Sequence, residues 1–311
     1  MTRSAVLFPG QGSQSVGMLA DFSDDKAAAA LISETFAVAS VALDHDLWKL
    51  VSEGPAERLN QTCWTQPAML SADIAVWRIF RARGGAMPEA MAGHSLGEYA
   101  ALVAAGALDF GDAVRLVHQR GKLMQQAVVK GEGAMAAILG LADEQVEQAC
   151  LEARQAGSVV AANYNSPGQL VIAGATAAVT LAVDLCRQAG ARRAMLLPVS
   201  VPAHSPLMAP AASGLAEALG DTEITAPACP VLHNFDLEPR RDADAIRHAL
   251  VEQLTHPVRW TATVRALSEK GILTFFECGP GRVLCGLGRR IERSAEWLPL
   301  ESPQSMTRDA Q

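Results

Sequence analysis

The stretch AGHSLGEYAALVAAG, Ala92–Gly106, places one serine between two glycines and then continues into a series of helix-favouring residues. The short apolar run Ala90–Ala92 at its start is typical of the end of a buried strand. The alanine-rich run Glu98–Ala105 has high helix propensity, and Gly106 suits the end of a helix. The sequence therefore predicts a strand that turns sharply into a helix, with the serine on the turn.

The spacing of Gly93, Ser95 and Gly97 matches G-x-S-x-G, the sequence pattern of a nucleophile elbow. A glycine on each side allows the close backbone approach that such a turn needs. The N–H of Leu96 would then point toward the oxyanion that forms when Ser95 attacks a carbonyl group. The pentapeptide also occurs by chance, so by itself it is weak evidence. The predicted strand before it and the predicted helix after it support the prediction that Ser95 is a nucleophile.

The composition is that of a soluble globular protein with a substantial core. The chain has 311 residues, of which 50% are hydrophobic and 19% are charged, and its net charge is −7 at pH 7. This acidic balance argues against nucleic acid or an anionic membrane as a partner, so an acidic partner would need a local basic patch. No uninterrupted apolar run approaches the ~20 residues of a membrane helix, and the apolar run near the N-terminus is too short for a signal peptide.

The six cysteines show neither C-x-x-C spacing nor a zinc-binding pattern with histidine. Reduced thiols in a cytoplasmic protein without a metal site are the better interpretation.

Short apolar runs alternate with helical patterns along the whole chain, which predicts an α/β fold. Between residues 128 and 200 the order becomes strand, helix, strand, strand, helix, strand, which is the ferredoxin-like order. We therefore expect a large α/β-hydrolase-like domain with a parallel sheet core, formed by residues 1–127 and 201–311. A small ferredoxin-like domain, residues 128–200, would be inserted into it.

The large domain is expected to have strands at 5–8, 90–92, 231–233 and 273–276, and helices at 24–42, 68–83, 98–105, 109–128, 209–219, 242–253 and 260–270. The small domain is expected to have strands at 134–139, 159–163, 169–173 and 193–199, and helices at 143–155 and 176–188.

A serine nucleophile needs a base, and the chain has seven histidines. His204 follows PVSVPA, residues 198–203, at the point where the small domain would return to the large one, and clefts form at such junctions. His233 at a strand end and His256 near a loop are rivals. The spacing alone leaves all three open.

Arg120 shares one helix face with Leu116 and Met124. An arginine on such an apolar face either extends its charged end to the surface or meets an anion inside the protein. If Arg120 points into a cleft, its planar guanidinium would suit a substrate that carries a free carboxylate. The pattern does not decide between these two interpretations.

Two further glycine-rich segments follow predicted strands. FPGQGSQ, residues 8–14, lacks the spacing of a phosphate-binding loop. It is better interpreted as a loop whose N–H groups face the cleft, where Gln11 could supply a second oxyanion donor. ECGPG, residues 277–281, is predicted to be a tight turn at the carboxyl end of another strand, where the sites of α/β proteins gather.

Eight short motifs follow one another along the chain. They are FPGQGSQ (8–14), TQPA (65–68), GHSLGEY (93–99), RGK followed by Met124 (120–124), GAMAA (133–137), NYNSPGQ (163–169), VSVPAHS (199–205) and GPG (279–281). In this order they resemble the malonyl-CoA:acyl-carrier-protein transacylases of bacterial fatty-acid synthesis. No single motif is decisive, but the ordered set covers residues 6 to about 290 and is specific.

The resemblance implies a role for particular residues. Ser95 matches the acyl-accepting nucleophile and His204 matches its general base. Arg120 matches the arginine that holds the malonyl carboxylate. The remaining matches are Gln11 and Leu96 at the oxyanion hole, Gln253 as the neutral group that orients the histidine, and Asn163 and Asn165 in the lining of the cleft.

The implied reaction moves a malonyl group from malonyl-CoA to the phosphopantetheine thiol of holo acyl carrier protein. It passes through a malonyl-serine intermediate in a ping-pong scheme, and it needs no metal or bound cofactor. Carrier proteins are usually acidic, so basic side chains would be needed to receive one. The candidates are Arg192, Arg193, Arg289, Arg290 and Arg293.

Three other functions stay open from the sequence. A serine esterase or thioesterase would share the elbow, but Arg120 would have no evident task in it. An acyltransferase for another acyl group, or for the carrier of another pathway, would share the whole set. A catalytically inactive scaffold is disfavoured because Ser95, His204 and Arg120 are all present.

Overall fold

The computed structural model describes residues 3–199 and 201–306, which form a mixed α/β fold with two separate sheets. The strands are β1 (Ser4–Phe8), β2 (Ala90–Gly93), β3 (Gly133–Leu139), β4 (Val159–Ser166), β5 (Gln169–Ala175), β6 (Arg193–Leu196), β7 (Val231–Leu232), β8 (Thr274–Glu277) and β9 (Glu296–Pro299). Ser200 of the VSVPAHS motif, and residues 1–2 and 307–311 at the ends of the expected large domain, lie outside the described residues.

The helices surround these sheets. They are α1 (Lys26–Leu43), α2 (Leu47–Glu53), α3 (Ala56–Leu59), α4 (Thr62–Ala82), α5 (Gly97–Ala104), α6 (Phe110–Gln126), α7 (Asp143–Ala153), α8 (Thr176–Gln188), α9 (Ala209–Gly220), α10 (Ala243–Thr255), α11 (Trp260–Glu269), α12 (Val283–Ile291) and α13 (Pro303–Met306).

The larger sheet is parallel throughout and has the strand order β7-β2-β1-β8-β9. Its central strand is an apolar run, SAVLF, that is buried from Ala5 onward, as expected for a strand covered on both faces by helices. Parallel strands end at one common edge, so the segments after Phe8, Gly93, Leu232 and Glu277 meet there. That edge carries the candidate active site.

The smaller sheet is antiparallel and has the order β4-β5-β3-β6, with α7 and α8 packed on one face. Numbered within this unit, the order is 2-3-1-4, which belongs to the predicted strand, helix, strand, strand, helix, strand sequence. The prediction of a parallel and a separate antiparallel sheet is thereby confirmed, and all strands of the second sheet lie within residues 133–196. The exact domain boundaries stay a prediction.

Helix α1 is the one helix in the described ranges that is long and apolar enough to pass as a membrane span, with a mean hydropathy of 1.5. Core helices pass the same test. Ile32 and Phe36 on one face of α1 are buried in the main core cluster, together with residues of α4 and α6.

Helix α4 begins at Thr62, six residues earlier than predicted. Pro67 made a start near 68 the natural expectation, because proline in a helix interior removes the bond to the carbonyl four residues before it. That carbonyl belongs to Cys63, and here it pairs with Nδ1 of His118 at 2.6 Å. A side chain from α6 thus compensates for the missing backbone bond.

The structure also differs from the prediction in the end of one strand and in several elements that were not predicted. Strand β6 ends at Leu196 rather than at residue 199, although the N–H of Leu197 still donates to the carbonyl of Met135 on β3. The sequence prediction also lacked the nine-residue helix α12. It lacked α2, α3, α13 and β9 as well, which have only four to seven residues and show no clear hydrophobic period.

Candidate active site

Ser95 lies on the turn between β2 and α5, and its φ angle is 52°, in the left-handed region that residues with a side chain rarely adopt. A Cβ on Gly93 would overlap the backbone of Gly97, and a Cβ on Gly97 would overlap the carbonyl oxygen of Phe8. The two glycines therefore allow strand, turn and helix to pack this closely. The structure has the strand–turn–helix arrangement expected here.

His204 reaches Ser95 from the segment before α9. Its Nε2 lies 2.7 Å from the Ser95 Oγ, and its Nδ1 lies 2.7 Å from the backbone carbonyl oxygen of Gln253. A carbonyl can only accept a hydrogen bond, so Nδ1 carries the proton and Nε2 is left to accept from the serine hydroxyl. This is the tautomer that a general base for Ser95 requires.

The other two candidate bases make different contacts. The Nδ1 of His233 lies 2.7 Å from the Glu98 Oε1 inside the core. The half-exposed His256 contacts Glu252 instead. Within the described residues, neither forms a hydrogen bond with the serine.

Burial of the His204 ring, together with the positive charge of Arg120, lowers the pKa of His204 to about 3. The imidazole is therefore neutral at pH 7 and able to accept a proton.

The guanidinium of Arg120 is buried, with 1% of the residue exposed, so it does not extend to the surface. Its Nη1 donates to the Gln66 Oε1 at 2.8 Å, and its Nη2 donates to the Gln253 Oε1 at 2.9 Å. The same Nη2 lies 3.5 Å from the Ser95 Oγ. A cation thus lies beside the Ser95 hydroxyl, with its Cζ 5.4 Å from the centre of the Tyr99 ring.

Gln253 connects this cation to a buried carboxylate. Its Nε2 donates to the Glu98 Oε2 at 2.8 Å and to the carbonyl oxygen of Ser95 at 3.0 Å, while its Oε1 accepts from Arg120. The opposite charges of Glu98 and Arg120 fix the orientation of the amide between them. Gln253 was expected to orient the histidine, and the structure places its backbone carbonyl against the ring.

Three more polar residues, Gln66, Glu98 and Asn234, are buried in this network, and the sequence patterns had not predicted a role for them. Gln66 and Glu98 lie inside the TQPA and GHSLGEY motifs, so the motifs contained a signal for them. Asn234 is the second residue after β7, and a polar residue just beyond the carboxyl end of a buried parallel strand is the general signal that could have found it.

The two expected oxyanion donors lie on adjoining loops. A Cβ on Gly10 would overlap the carbonyl of His94, so the loop that carries Gln11 packs directly against the elbow. In the described part of the chain, neither the N–H of Gln11 nor that of Leu96 has a hydrogen-bond acceptor. The N–H of Ser95 does have one, the Asn234 Oδ1 at 2.7 Å.

The two expected cleft asparagines differ in their surroundings. The Asn165 Oδ1 lies 2.8 Å from Nε2 of His94, which connects β4 to the elbow. Asn163 is buried, and its Oδ1 has no hydrogen-bond partner among the described residues. In that same part of the chain, no hydrogen bond connects Asn163 to Ser95, His204 or Arg120.

Comparison with known proteins gives consistent similarities. The model of the family described as acyl transferase domain matches residues 6–305. The malonyl CoA-acyl carrier protein transacylase of Escherichia coli K12 is 52% identical over 306 residues, 98% of each chain. The Bacillus subtilis protein of the same name is 43% identical over 98% of this chain and 96% of its own.

Solved structures agree with these matches. The malonyl CoA-acyl carrier protein transacylase of Coxiella burnetii superposes with a TM-score of 0.96 at 49% identity, covering 99% of this chain and 96% of that one. A malonyl-transacylase solved in complex with its type II PKS acyl-carrier protein gives a TM-score of 0.96 at 50% identity, with 98% of each chain covered.

Proposed function

The chain belongs to the acyl transferase domain family, and on that basis we propose that it transfers the malonyl group of malonyl-CoA to acyl carrier protein. The reaction supplies fatty acid biosynthesis, and the acceptor is the phosphopantetheine thiol of the holo carrier protein. The similarity to relatives of that name over nearly the whole chain supports this assignment, as does a solved neighbour in complex with a carrier protein.

The buried guanidinium of Arg120 beside the Ser95 hydroxyl is the single observation that carries the substrate assignment. A buried cation is costly unless it meets an anion, and the substrate supplies one when its acyl group ends in a carboxylate. A malonyl group has a thioester carbon at one end and a carboxylate at the other. The acyl group therefore spans the short distance between nucleophile and guanidinium.

In the first half-reaction, Ser95 Oγ attacks the thioester carbon while His204 Nε2 takes the hydroxyl proton. The negative charge on the former carbonyl oxygen is stabilised by the N–H groups of Gln11 and Leu96. The carbon–sulfur bond then breaks, and the CoA thiolate takes the proton from His204. The product is a malonyl ester on Ser95.

The second half-reaction runs in the opposite sense. His204 takes the proton of the phosphopantetheine thiol, the thiolate attacks the ester, and the proton returns to Ser95. A thioester is consumed and another is formed, so the transfer is readily reversible.

The ester must last until the carrier protein arrives, which requires that water be kept from it. The face of the small sheet opposite α7 and α8 supports this role. Met135, Ala162 and Ala173 on that face form an apolar cluster with Leu197 and Ala203, and Ala203 directly precedes His204. We assign this wall the exclusion of water, and we assign Asn163 and Asn165 to the lining of the cleft.

The reaction takes place in the cytoplasm under this proposal. The six cysteines are all unpaired, and five of them are buried, which suits a reducing compartment.

The decisive experiment is intact-protein mass spectrometry after mixing with malonyl-CoA alone. The wild type should gain one malonyl group, the Ser95→Ala variant should gain none, and holo carrier protein should remove the adduct. Release of free malonate without an adduct would instead indicate a hydrolase. An inert protein would direct the search to other acyl-CoAs and then to a scaffold role.

Arg120→Ala tests the carboxylate clamp in the same assay. It should lose about 10²-fold or more in the rate of malonyl transfer, while acylation by acetyl-CoA falls much less. An equal loss with both substrates would show that Arg120 supports the fold of the site rather than the recognition of malonate.

A further inference from the structure

Asn234 is the second residue after β7, lies underneath the nucleophile elbow, and is 1% exposed. Its Oδ1 accepts a hydrogen bond from the N–H of Ser95 at 2.7 Å, and its Nδ2 donates to the carbonyl oxygen of Gly93 at 2.7 Å. One side-chain amide therefore connects the last residue of β2 to the nucleophile.

Asn234 is itself held from two other directions. Its backbone N–H donates to the Glu98 Oε2 at 2.9 Å, and its carbonyl accepts from the N–H of Arg259 at 3.2 Å. Every polar group of Asn234 thus has a partner. The backbone of Asn234 is held in place by α5 and by the segment before α11, independently of the serine.

The hydrogen bonds of the sheet end one residue before the nucleophile. The N–H of His94 donates to the carbonyl of Phe8 at 2.9 Å, and the next N–H, that of Ser95, turns to Asn234 instead. A non-glycine residue with a φ of 52° persists only where its surroundings determine its conformation. We propose that Asn234 is a positioning residue that holds the Ser95 backbone in the conformation from which its hydroxyl can attack.

This inference rests on the proposed function, in which Ser95 accepts the acyl group. It also adds to it, because the Ser95 N–H is used by Asn234 and is not free to contact an oxyanion. The donors left for that task are those of Leu96 and Gln11.

The chemistry of the contact suggests a sharp test. The side chain must accept from one backbone group and donate to another, which an amide does at every pH. A carboxyl group does both only when it is protonated. In an Asn234→Asp variant, the ionised carboxylate would face the carbonyl oxygen of Gly93 without a proton to donate.

The surroundings of that carboxyl group set the direction of its titration. Glu98 of α5 lies against it, His233 precedes it, and Arg259 approaches from the segment before α11. The ion pair of Asp236 and Arg240 lies in the loop after β7. Burial and the nearby Glu98 both raise the pKa of the introduced carboxyl, so lowering the pH restores the donor.

The experiment measures how fast Ser95 is modified by malonyl-CoA and, separately, by an alkyl fluorophosphonate that reacts with activated serines. Wild type, Asn234→Ala, Asn234→Asp and the same-loop control Asp236→Asn are compared from about pH 5 to pH 8. Asn234→Ala should be about 10²-fold slower with both reagents at every pH. Asn234→Asp should be as slow at pH 8 and recover at least tenfold relative to wild type at pH 5, and Asp236→Asn should follow wild type.

A wild-type rate for Asn234→Ala would overturn the proposal. So would an Asn234→Asp variant that keeps the wild-type melting temperature and stays equally slow at both ends of the pH range. If Asn234→Ala fails to fold, the pH profile of Asn234→Asp decides alone. If the wild type reacts with the fluorophosphonate but not with malonyl-CoA, the proposed function fails, and the fluorophosphonate rates still decide the role of Asn234.

Discussion

Two single residues at this site adopt backbone conformations that the chain disfavours. Ser95 has a φ of 52° and His204 a φ of 60°, and each such residue costs about 1–2 kcal/mol relative to ordinary backbone. The hydrogen bond of 2.7 Å between their side chains joins the two. The buried network around Gln253 and Glu98 offsets the backbone strain at these two residues.

The low pKa of His204 predicts how the reaction depends on pH. The base must be neutral to act, and with a pKa of about 3 it stays neutral as the pH falls well below 6.5, the ordinary value of histidine. The rate of Ser95 acylation by malonyl-CoA should therefore change less than about threefold between pH 8 and pH 5. Rapid-quench mass spectrometry measures it, and a loss with a midpoint near 6.5 would contradict the burial of the base.

At the scale of elements, the site depends on how closely β1, β2 and α5 approach one another. Gly97, the first residue of α5, faces the carbonyl of Phe8 at the end of β1. Helix α4 passes behind the same edge, and there it buries Asp73 next to Gly279.

Gly97→Ala should destabilise the protein by about 3 kcal/mol or more, because its Cβ would overlap a backbone oxygen that has no room to move. Gly286→Ala is the matched control, since this helical glycine of α12 is exposed and has open space around its missing Cβ. It should stabilise by about 0.5–1 kcal/mol. Urea denaturation measures both, and similar small effects would show that the elbow packs less tightly than the structure indicates.

Asp73 should make stability fall as the pH rises. Burial, and next the charge of Glu277, hold the pKa of Asp73 well above its ordinary value of 3.8, and neither carboxyl oxygen has a hydrogen-bond partner among the described residues. The folded protein thus keeps a proton that the unfolded chain releases above about pH 4. The contribution of Asp73 to the free energy of unfolding is fully present below that pH, and it is lost as the pH rises toward the folded-state pKa.

Asp73→Asn removes this penalty because its side chain is neutral at every pH. Its stability relative to wild type should grow by about 1.4 kcal/mol for each pH unit above pH 4, until the folded-state pKa of Asp73 is passed. Denaturation at pH 5 and pH 7 tests it, with the exposed Asp21→Asn as the control. A difference that does not change with pH would mean that Asp73 is ionised in the fold.

At the scale of the whole molecule, basic side chains from the small antiparallel sheet and from α12 lie at one end of the small sheet. Gln169, Leu139 and Arg193 lie side by side on β5, β3 and β6, and Arg290 of α12 donates to the Gln169 side chain at 2.6 Å. Two strand spacings, about 10 Å, therefore separate Arg193 from the residue that Arg290 contacts. An acidic carrier protein would meet both charges together.

Reversing both charges, Arg193→Glu with Arg290→Glu, should slow malonyl transfer to carrier protein by about tenfold or more at low salt and leave acylation by malonyl-CoA unchanged. Arg154→Glu is the matched control, because this exposed arginine lies at the opposite end of the same sheet. Equal losses in the two half-reactions, or an equal effect of the control, would exclude this surface as the docking site.

Much of the fold could be predicted from local patterns. The strand–turn–helix around Ser95, the alternation of strands and helices, and the ordered strands of the small sheet all follow from short-range propensity and hydrophobic period. Helix α8 was predicted with its observed bounds, 176–188. Short elements such as α2 and β9 were missed because four to seven residues carry too little periodicity.

The sequence by itself determined the elbow, the α/β class and, through the order of its motifs, the family. The resemblance to that family had already implied His204 as the base and Arg120 as the carboxylate-binding residue. Only the tertiary structure decided the contacts that these two side chains make, and that Asn234 and Glu98 support the site. Ser95 is 109 positions from His204 and 139 from Asn234. Contacts over such separations arise because parallel strands bring their carboxyl ends to one edge of the sheet, and no local spacing in the chain encodes which side chains meet there.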